Sequence, residues 1–221
     1  MELDFTFLWD FRWVLLKGLW TTLQFVGLAI FIGLVWGFIL SLARTSSNWL
    51  IYGVSTIYVE FFRGTPVLIQ LFWIFFCLPL FLNVNLSGFT SVVIALSLYS
   101  GAITSESFRA ALNSIERSQQ DACTALGLPK SVTTLFVVLP QAILRAIPNL
   151  LSNVVSLFKE SALVSAVGMA DLMYVGQNIA NNVARPIEIL TVVALIYFAI
   201  GFPLTRAVSV VEAKLLKVVK A

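Results

Sequence analysis

Lys159 and Glu160 stand side by side in the middle of a hydrophobic stretch, residues 146–170. An ionised side chain at mid-membrane depth costs roughly 2.5–3.5 kcal/mol on insertion scales, so such residues usually line a pathway or pair with a partner. Neighbours on a helix point in different directions and do not face each other, which disfavours pairing between these two. A ligand with both charge signs, such as an amino acid, suits this arrangement. The alternative is a shorter helix whose charged pair snorkels to the membrane interface.

The sequence leaves two interpretations open for each of two candidate residues. Two interpretations of Lys159 are equally well supported: it binds the carboxylate of a substrate, or it forms an ion pair with Glu60 or Glu106 on a neighbouring helix. Gln70, in an earlier apolar stretch, has a similar choice between a hydrogen bond across helices and one to substrate. Arg63 is interpreted as a topological anchor, and Pro66 as a residue that shapes its helix.

The composition predicts an integral membrane protein. The chain has 221 residues, of which 59% are hydrophobic and 11% charged, and its mean hydropathy is +0.95. A soluble domain carries roughly 25% charged residues. We therefore predict one all-α membrane domain over residues 1–221. Positive residues are not gathered into a patch, so the net charge of +3 does not indicate nucleic-acid binding.

The residue inventory argues against an enzyme. The sequence has no histidine and two cysteines, Cys77 and Cys123, which disfavours a metal cluster or a disulfide framework. No phosphate-binding loop occurs; the fragment Gly127–Ser131 lacks the required spacing. We predict no catalytic residue, no metal and no cofactor, with any ATP and Mg²⁺ bound by a partner subunit.

Hydropathy predicts five transmembrane helices, because a span needs about 20 apolar residues. A turn-rich segment, residues 83–88, divides a long uncharged stretch into a hairpin. The predicted spans are residues 19–43, 57–82, 89–112, 147–170 and 188–211.

Charge distribution predicts the orientation of these spans. Five crossings place the termini on opposite sides, and nine basic residues fall on one side against three on the other. The positive-inside rule then places the amino terminus outside and the carboxyl terminus in the cytoplasm. The acidic start, residues 1–4, and the length of the first apolar run predict no cleavable signal peptide. The nine inner residues are Arg44, Arg109, Arg117, Lys130, Arg145, Arg206, Lys214, Lys217 and Lys220; the three outer ones are Arg12, Lys17 and Arg185.

The longest segment outside the membrane, residues 113–145, has the pattern of helix–Gly–helix. Ser118 is a possible cap for a helix that ends at Leu126, and Gly127 suits the left-handed position after a helix. Pro129 can open the next turn. At Pro140 we predict that the chain bends back toward the membrane. The pattern fits a docking element, although an amphipathic surface loop is the commoner case.

The same segment resembles the EAA loop of ABC importer permeases. That motif has Glu-Ala-Ala, then Gly after three further residues, then Ile-x-Leu-Pro after nine more. This chain has Asp121-Ala122-Cys123, Gly127 and Val137-Val138-Leu139-Pro140 at the same spacing. The substitutions are chemically mild, though Cys123 adds bulk to a contact surface that usually carries Ala. The resemblance implies an ATPase-coupling role for Asp121, Ala122, Cys123, Leu126, Gly127, Leu128 and Pro140.

Other motifs narrow the resemblance to the polar amino acid, histidine/glutamine permease group. Phe62-Arg63-Gly64-Thr65-Pro66 with Gln70-Leu71-Phe72 is similar to that group's second-helix signature. The block Lys159–Leu163 resembles its Lys-Asp-Thr-Ser-Leu, with Glu160 in place of Asp and Ala162 lacking a hydroxyl. The resemblance implies substrate-binding candidates at Lys159, Glu160, Ser161, Thr65 and Gln70.

This resemblance implies a type I ABC importer permease fold with five transmembrane helices, in the bacterial inner membrane. Its partners would be a second permease chain, identical or homologous, two ABC ATPase subunits and an extracytoplasmic amino-acid-binding protein. The substrate would be a polar amino acid, moved by alternating access. The competing hypothesis is a stand-alone ion- or proton-coupled carrier or channel that uses Lys159 and Glu160 without ATP.

Overall fold

The computed structural model describes the backbone of residues 6 and 8–220 and the side chains of residues 6 and 9–215. The acidic start and the side chains of Lys217 and Lys220, which entered the sequence predictions, lie outside this part. Within it, all regular secondary structure is helical. The elements in chain order are α1 (Leu8–Ala43), α2 (Trp49–Gly64), α3 (Val67–Phe72), α4 (Leu78–Leu82), α5 (Gly88–Asn113), α6 (Arg117–Ala125), α7 (Lys130–Val132), α8 (Leu139–Glu160), α9 (Leu172–Val183) and α10 (Pro186–Lys220).

Four of the described helical segments are long and apolar enough to cross a membrane, and a bent pair makes a fifth if its two halves are counted as one broken span. The four are Trp9–Ala43, Gly88–Asn113, Lys130–Val167 and Pro186–Leu215. The fifth joins Trp49–Gly64 to Val67–Leu82. The prediction of an all-helical membrane protein is therefore confirmed, with four to five candidate spans where the sequence predicted five.

Helices α1 and α5 run parallel and pack closely because small residues line their contact. A Cβ built on Gly33 would lie 2.5 Å from the Ser100 Oγ, and one on Gly37 would lie 2.5 Å from the Thr104 Cβ. Glycine lets the two backbones approach, as is common between membrane helices. This pair forms the frame against which α2 and α8 pack.

The second predicted span begins earlier and is not a single helix. It starts at Trp49 rather than near residue 57, and its two halves meet at 107° across Gly64–Thr65–Pro66, which we call the elbow. Proline removes a backbone donor and disfavours helical geometry in the residue before it, so the helix ends here. Pro66 therefore shapes the chain, as expected.

Two π-helical turns each precede a proline. Trp73–Cys77 comes before Pro79, and Thr133–Val138 before Pro140. A wider turn relieves the clash between a proline ring and the carbonyl four residues earlier, so the helix continues. The predicted bend of the chain at Pro140 is therefore wrong, since one helical segment extends from Lys130 to Val167.

The fourth span changes character at the charged pair. The α-helix ends at Glu160, and a 3₁₀ segment, Ser161–Val167, leads to Gly168 at φ +77°. Helix α9 follows in a region where hydropathy predicted no span, because this helix is short and only one of its faces is apolar. It packs on α1 and α10, where a Cβ on Gly176 would lie 2.5 Å from the Val193 Cγ2.

Candidate functional site

Glu160 points into a cleft between α5 and α8. Tyr99 donates a hydrogen bond of 3.2 Å to its Oε1, while its Oε2 is buried without a hydrogen-bond partner. Nearby, the Asn153 amide donates to the Ser107 Oγ at 2.9 Å. This α5–α8 cleft is therefore polar and contains an acceptor that is not satisfied by the described part of the chain. Its lining residues are Tyr99, Ser100, Ile103, Asn153, Ser156, Leu157 and Glu160.

Lys159 points elsewhere, into a groove between α8 and α10. The side chain is exposed, and no ion pair in the described part of the chain includes it. Glu60 and Glu106 contact arginines instead, so the pairing that the sequence left open for Lys159 is not found. This α8–α10 groove is lined by Ser152, Val155, Ser156, Lys159, Thr205, Val208, Ser209 and Glu212.

The cleft and the groove meet at Ser156, which lines both. Lys159 and Glu160 therefore lie on adjacent surfaces of α8, consistent with the angle between neighbours on a helix. Ser161 does not join them, because it is fully buried and its hydroxyl donates to the Phe158 carbonyl at 2.6 Å.

Thr65 and Gln70 lie at the elbow, apart from the charged pair. The Gln70 Nε2 donates to the carbonyls of Phe62 and Thr65 at 2.8 and 3.0 Å and to the Thr65 Oγ1 at 2.8 Å. These bonds satisfy acceptors that the helix break leaves open. The Gln70 Oε1 remains without a partner beside an apolar cavity of about 320 Å³. The five substrate-binding candidates thus fall into two groups: Thr65 and Gln70 at the elbow, and Lys159, Glu160 and the buried Ser161 at the end of α8.

A cluster of three arginines and two glutamates joins α1, α2 and α5 near their carboxyl ends. Arg44 contacts Glu106 at 3.0 Å and Glu60 at 3.8 Å, and Arg63 contacts the same carboxylates at 3.6 and 3.5 Å. The Arg109 Nε donates to Glu106 at 2.9 Å. Arg63 is therefore part of an ion network, which sequence reasoning missed when it interpreted this residue as an anchor alone. We call this set the arginine–glutamate cluster.

The segment between α5 and α8, residues 114–138, contains the predicted helix–Gly–helix. Gly127 has φ +71°, and its N–H bonds the Thr124 carbonyl while the Leu128 N–H bonds the Cys123 carbonyl, both at 3.0 Å. This is the Schellman pattern, in which a glycine ends a helix. Ser118 is not the cap: Glu116 holds that position, and Ser118 donates to its carboxylate at 3.1 Å.

We call residues 114–138 the α5–α8 connection, and two contacts fasten it to α8. Gln141 donates to the Gln119 Oε1 at 2.7 Å, and Arg145 donates to the Ser114 carbonyl. Cys123 is only 6% exposed, and its side chain faces inward. The expectation that Cys123 adds bulk to a contact surface is therefore wrong. The outer surface carries Asp121, Ala122, Leu126, Leu128, Leu135 and Phe136.

Comparisons with known proteins agree with this architecture. The family model of the binding-protein-dependent transport system inner membrane component matches residues 22–217. A crystal structure of an amino acid ABC transporter with histidines superposes with a TM-score of 0.92 at 32% identity, covering 97% of this chain and 100% of the other. Inward-facing structures of the MetNI methionine transporter share the fold alone, with a TM-score of 0.70 at 21% identity over 91% of this chain and 98% of the other.

Curated relatives support the same family assignment. The arginine transport system permease protein ArtQ of Bacillus subtilis is 35% identical, covering 97% of this chain and 98% of its own length. A probable amino-acid ABC transporter permease of Sinorhizobium fredii is 34% identical, covering 92% of this chain and 88% of its own. With its helical spans and its polar cleft and groove, this chain belongs to the family of binding-protein-dependent transport system inner membrane components.

Proposed function

We propose that this chain is the membrane-spanning subunit of an ATP-driven importer of polar amino acids and that it forms the translocation pathway with a second permease chain. The observation that carries this is the polar surface of α8, where Lys159 and Glu160 open onto a groove and a cleft. The relatives' amino-acid substrates supply the chemistry. A stand-alone carrier is not favoured, because the family is a component of binding-protein-dependent systems.

Substrate recognition centres on Lys159 and Glu160. The unsatisfied Glu160 Oε2 suits an ammonium group, and the exposed Lys159 ammonium suits a carboxylate. Ser161, Thr65 and Gln70 contribute indirectly, because their side chains hydrogen-bond to backbone carbonyls and so fix the helix ends along the pathway. Bringing charges of both signs to one ligand would offset their cost in the membrane.

The α5–α8 connection couples ATP hydrolysis in the partner subunits to movement of this chain. Two partner ATPases bind ATP and Mg²⁺ and dock against its exposed surface around Leu126 and Gly127, while an extracytoplasmic binding protein delivers the amino acid. Because Gln141 and Arg145 fasten this segment to α8, its displacement moves the helix that carries the charged pair. In this proposal the ATPase subunits supply the catalytic residues and the nucleotide site.

Replacement of Glu160 tests the proposed site. We expect Glu160→Gln to reduce the affinity of the amino acid for the reconstituted complex by on the order of tenfold or more, since a hydrogen bond to a charged group contributes about 1.5–3 kcal/mol. Basal ATP hydrolysis and assembly should stay at wild-type levels, because Gln is isosteric and still accepts from Tyr99. The measurement is substrate-stimulated ATP hydrolysis against amino-acid concentration in proteoliposomes.

Tyr99→Phe is the matched control, because it removes the hydrogen bond to Glu160 but leaves the carboxylate. It should weaken the response to substrate less than Glu160→Gln does. Equal stimulation curves for Glu160→Gln and wild type would assign Glu160 to a structural role.

The proposed orientation has the amino terminus outside and the α5–α8 connection in the cytoplasm. In a chain with Cys77→Ser and Cys123→Ala, we expect Asn85→Cys to react with an impermeant thiol reagent from outside and Ser118→Cys only from the cytoplasm. Asn85 is exposed in the α4–α5 turn and spares Ser87, which caps α5. Labelling of intact and permeabilised cells measures this, and the reverse pattern would invert the topology.

A further inference from the structure

The α8–α10 groove has charged and hydroxyl side chains on a surface that is otherwise apolar. Lys159, Ser152 and Ser156 line it from α8, and Thr205, Ser209 and Glu212 from α10. Lipid tails cannot satisfy such groups, so polar residues within membrane helices face a water-filled path or another protein. The two charged side chains, Lys159 and Glu212, are therefore the groups of this groove that call for an aqueous or protein partner.

The groove presents opposite charges on its two walls. Both Lys159 and Glu212 are exposed, and in the described part of the chain neither takes part in an ion pair. The hydroxyls of Thr205 and Ser209 donate to carbonyls of their own helix at 2.8 and 3.2 Å. A hydroxyl that already donates keeps lone pairs with which to accept from an ammonium group.

Glu160 does not supply the negative charge of this groove. Its carboxylate lies in the α5–α8 cleft, where Tyr99 donates to it. Lys159 has a flexible four-carbon stem and can follow a ligand along the groove. Because α8 and α10 are antiparallel, Glu212 lies toward the end of the molecule that carries the α5–α8 connection.

We propose that the α8–α10 groove is an inner binding site for the transported amino acid, in which Glu212 binds the ammonium group and Lys159 the carboxylate. The cavity of about 260 Å³ is on the small side for a ligand pocket, which fits a small zwitterion. Glu160 and Glu212 would then bind the same ammonium at two successive positions along one path. This inference rests on the proposed function and extends it to a residue outside the charged pair.

Glu212→Gln tests whether Glu212 binds the ammonium group, by comparing ligands with and without that group. Equilibrium binding to the purified permease–ATPase complex, without binding protein, is measured for the amino acid that the wild type transports best and for its des-amino analogue. We expect wild type to favour the amino acid, and Glu212→Gln to reduce that preference at least about tenfold while the affinity for the des-amino analogue stays unchanged. A merely structural role would weaken both ligands equally.

Asp10→Asn is the matched control, because Asp10 is an exposed carboxylate in the first turn of α1, outside the groove. It should bind both ligands as wild type does, and Glu212→Asp should retain much of the preference. An unchanged ratio in Glu212→Gln, or an equal loss for both ligands, would overturn the inference while leaving the importer assignment intact. A wild-type complex that transports no amino acid would instead refute the proposed function.

Discussion

Gly127→Val is expected to uncouple ATP hydrolysis from transport while the chain still inserts and folds. A β-branched residue at φ +71° bears a backbone strain of about 1–2 kcal/mol, and the Schellman turn that orients α6 against α7 would be lost. If the strain falls on the docked state, ATPase binding weakens on the order of tenfold, since 1.4 kcal/mol is a factor of ten. Transport per ATP hydrolysed in proteoliposomes is the measurement, with ATPase retention checked on a gel.

Backbone strain and added bulk can be separated at this position. A Cβ built on Gly127 meets nothing within 4 Å in the isolated chain, so bulk matters only when a partner approaches. Gly127→Asn adds a side chain that tolerates positive φ, and it therefore reports bulk alone. Leu128→Ala should do less than either, because it leaves the backbone unforced. Wild-type coupling in Gly127→Val would remove the α5–α8 connection from the mechanism.

The sequence predicted correctly those features that depend only on neighbouring residues. The positive φ of Gly127 follows from glycine after a helix, and the separation of Lys159 from Glu160 follows from helical geometry. Pro66 was interpreted only as a residue that shapes its helix, and the break itself was not predicted. Its 107° angle depends on how Gln70 bonds back across the elbow, which no local pattern contains.

Features that depend on distant contacts could not be read from the sequence. Arg44 and Glu106 are 62 positions apart, so their ion pair appears only when α1 and α5 pack. The π turn before Pro140 inserts one residue into a helix, and hydropathy cannot distinguish this from a bend. Helix α9 was missed because twelve residues with a single apolar face fall below the length of a span.

The arginine–glutamate cluster is expected to contribute strongly to the packing of α1, α2 and α5 against one another. Arg44, whose side chain is 8% exposed, depends on Glu106 for its closest carboxylate contact. Glu106→Ala leaves the buried Arg44 charge with only its longer 3.8 Å contact to the exposed Glu60, and removing one partner of a buried ion pair costs about 3–5 kcal/mol. Glu106→Ala should therefore lower the thermal midpoint of the detergent-purified complex by roughly 6–20 °C, at about 2–4 °C per kcal/mol for a chain of this size.

Glu60→Ala is the matched control within the same cluster. The Glu60 side chain is 60% exposed and its contacts with Arg44 and Arg63 are longer, at 3.8 and 3.5 Å. Exposed ion pairs contribute about 0–1 kcal/mol, so this variant should shift the midpoint by no more than about 4 °C. Equal shifts would mean that Arg44 is solvated once the subunits assemble. A large shift for Glu106→Ala alone would show that one carboxylate holds three helices together, close to the segment that we propose as the ATPase docking site.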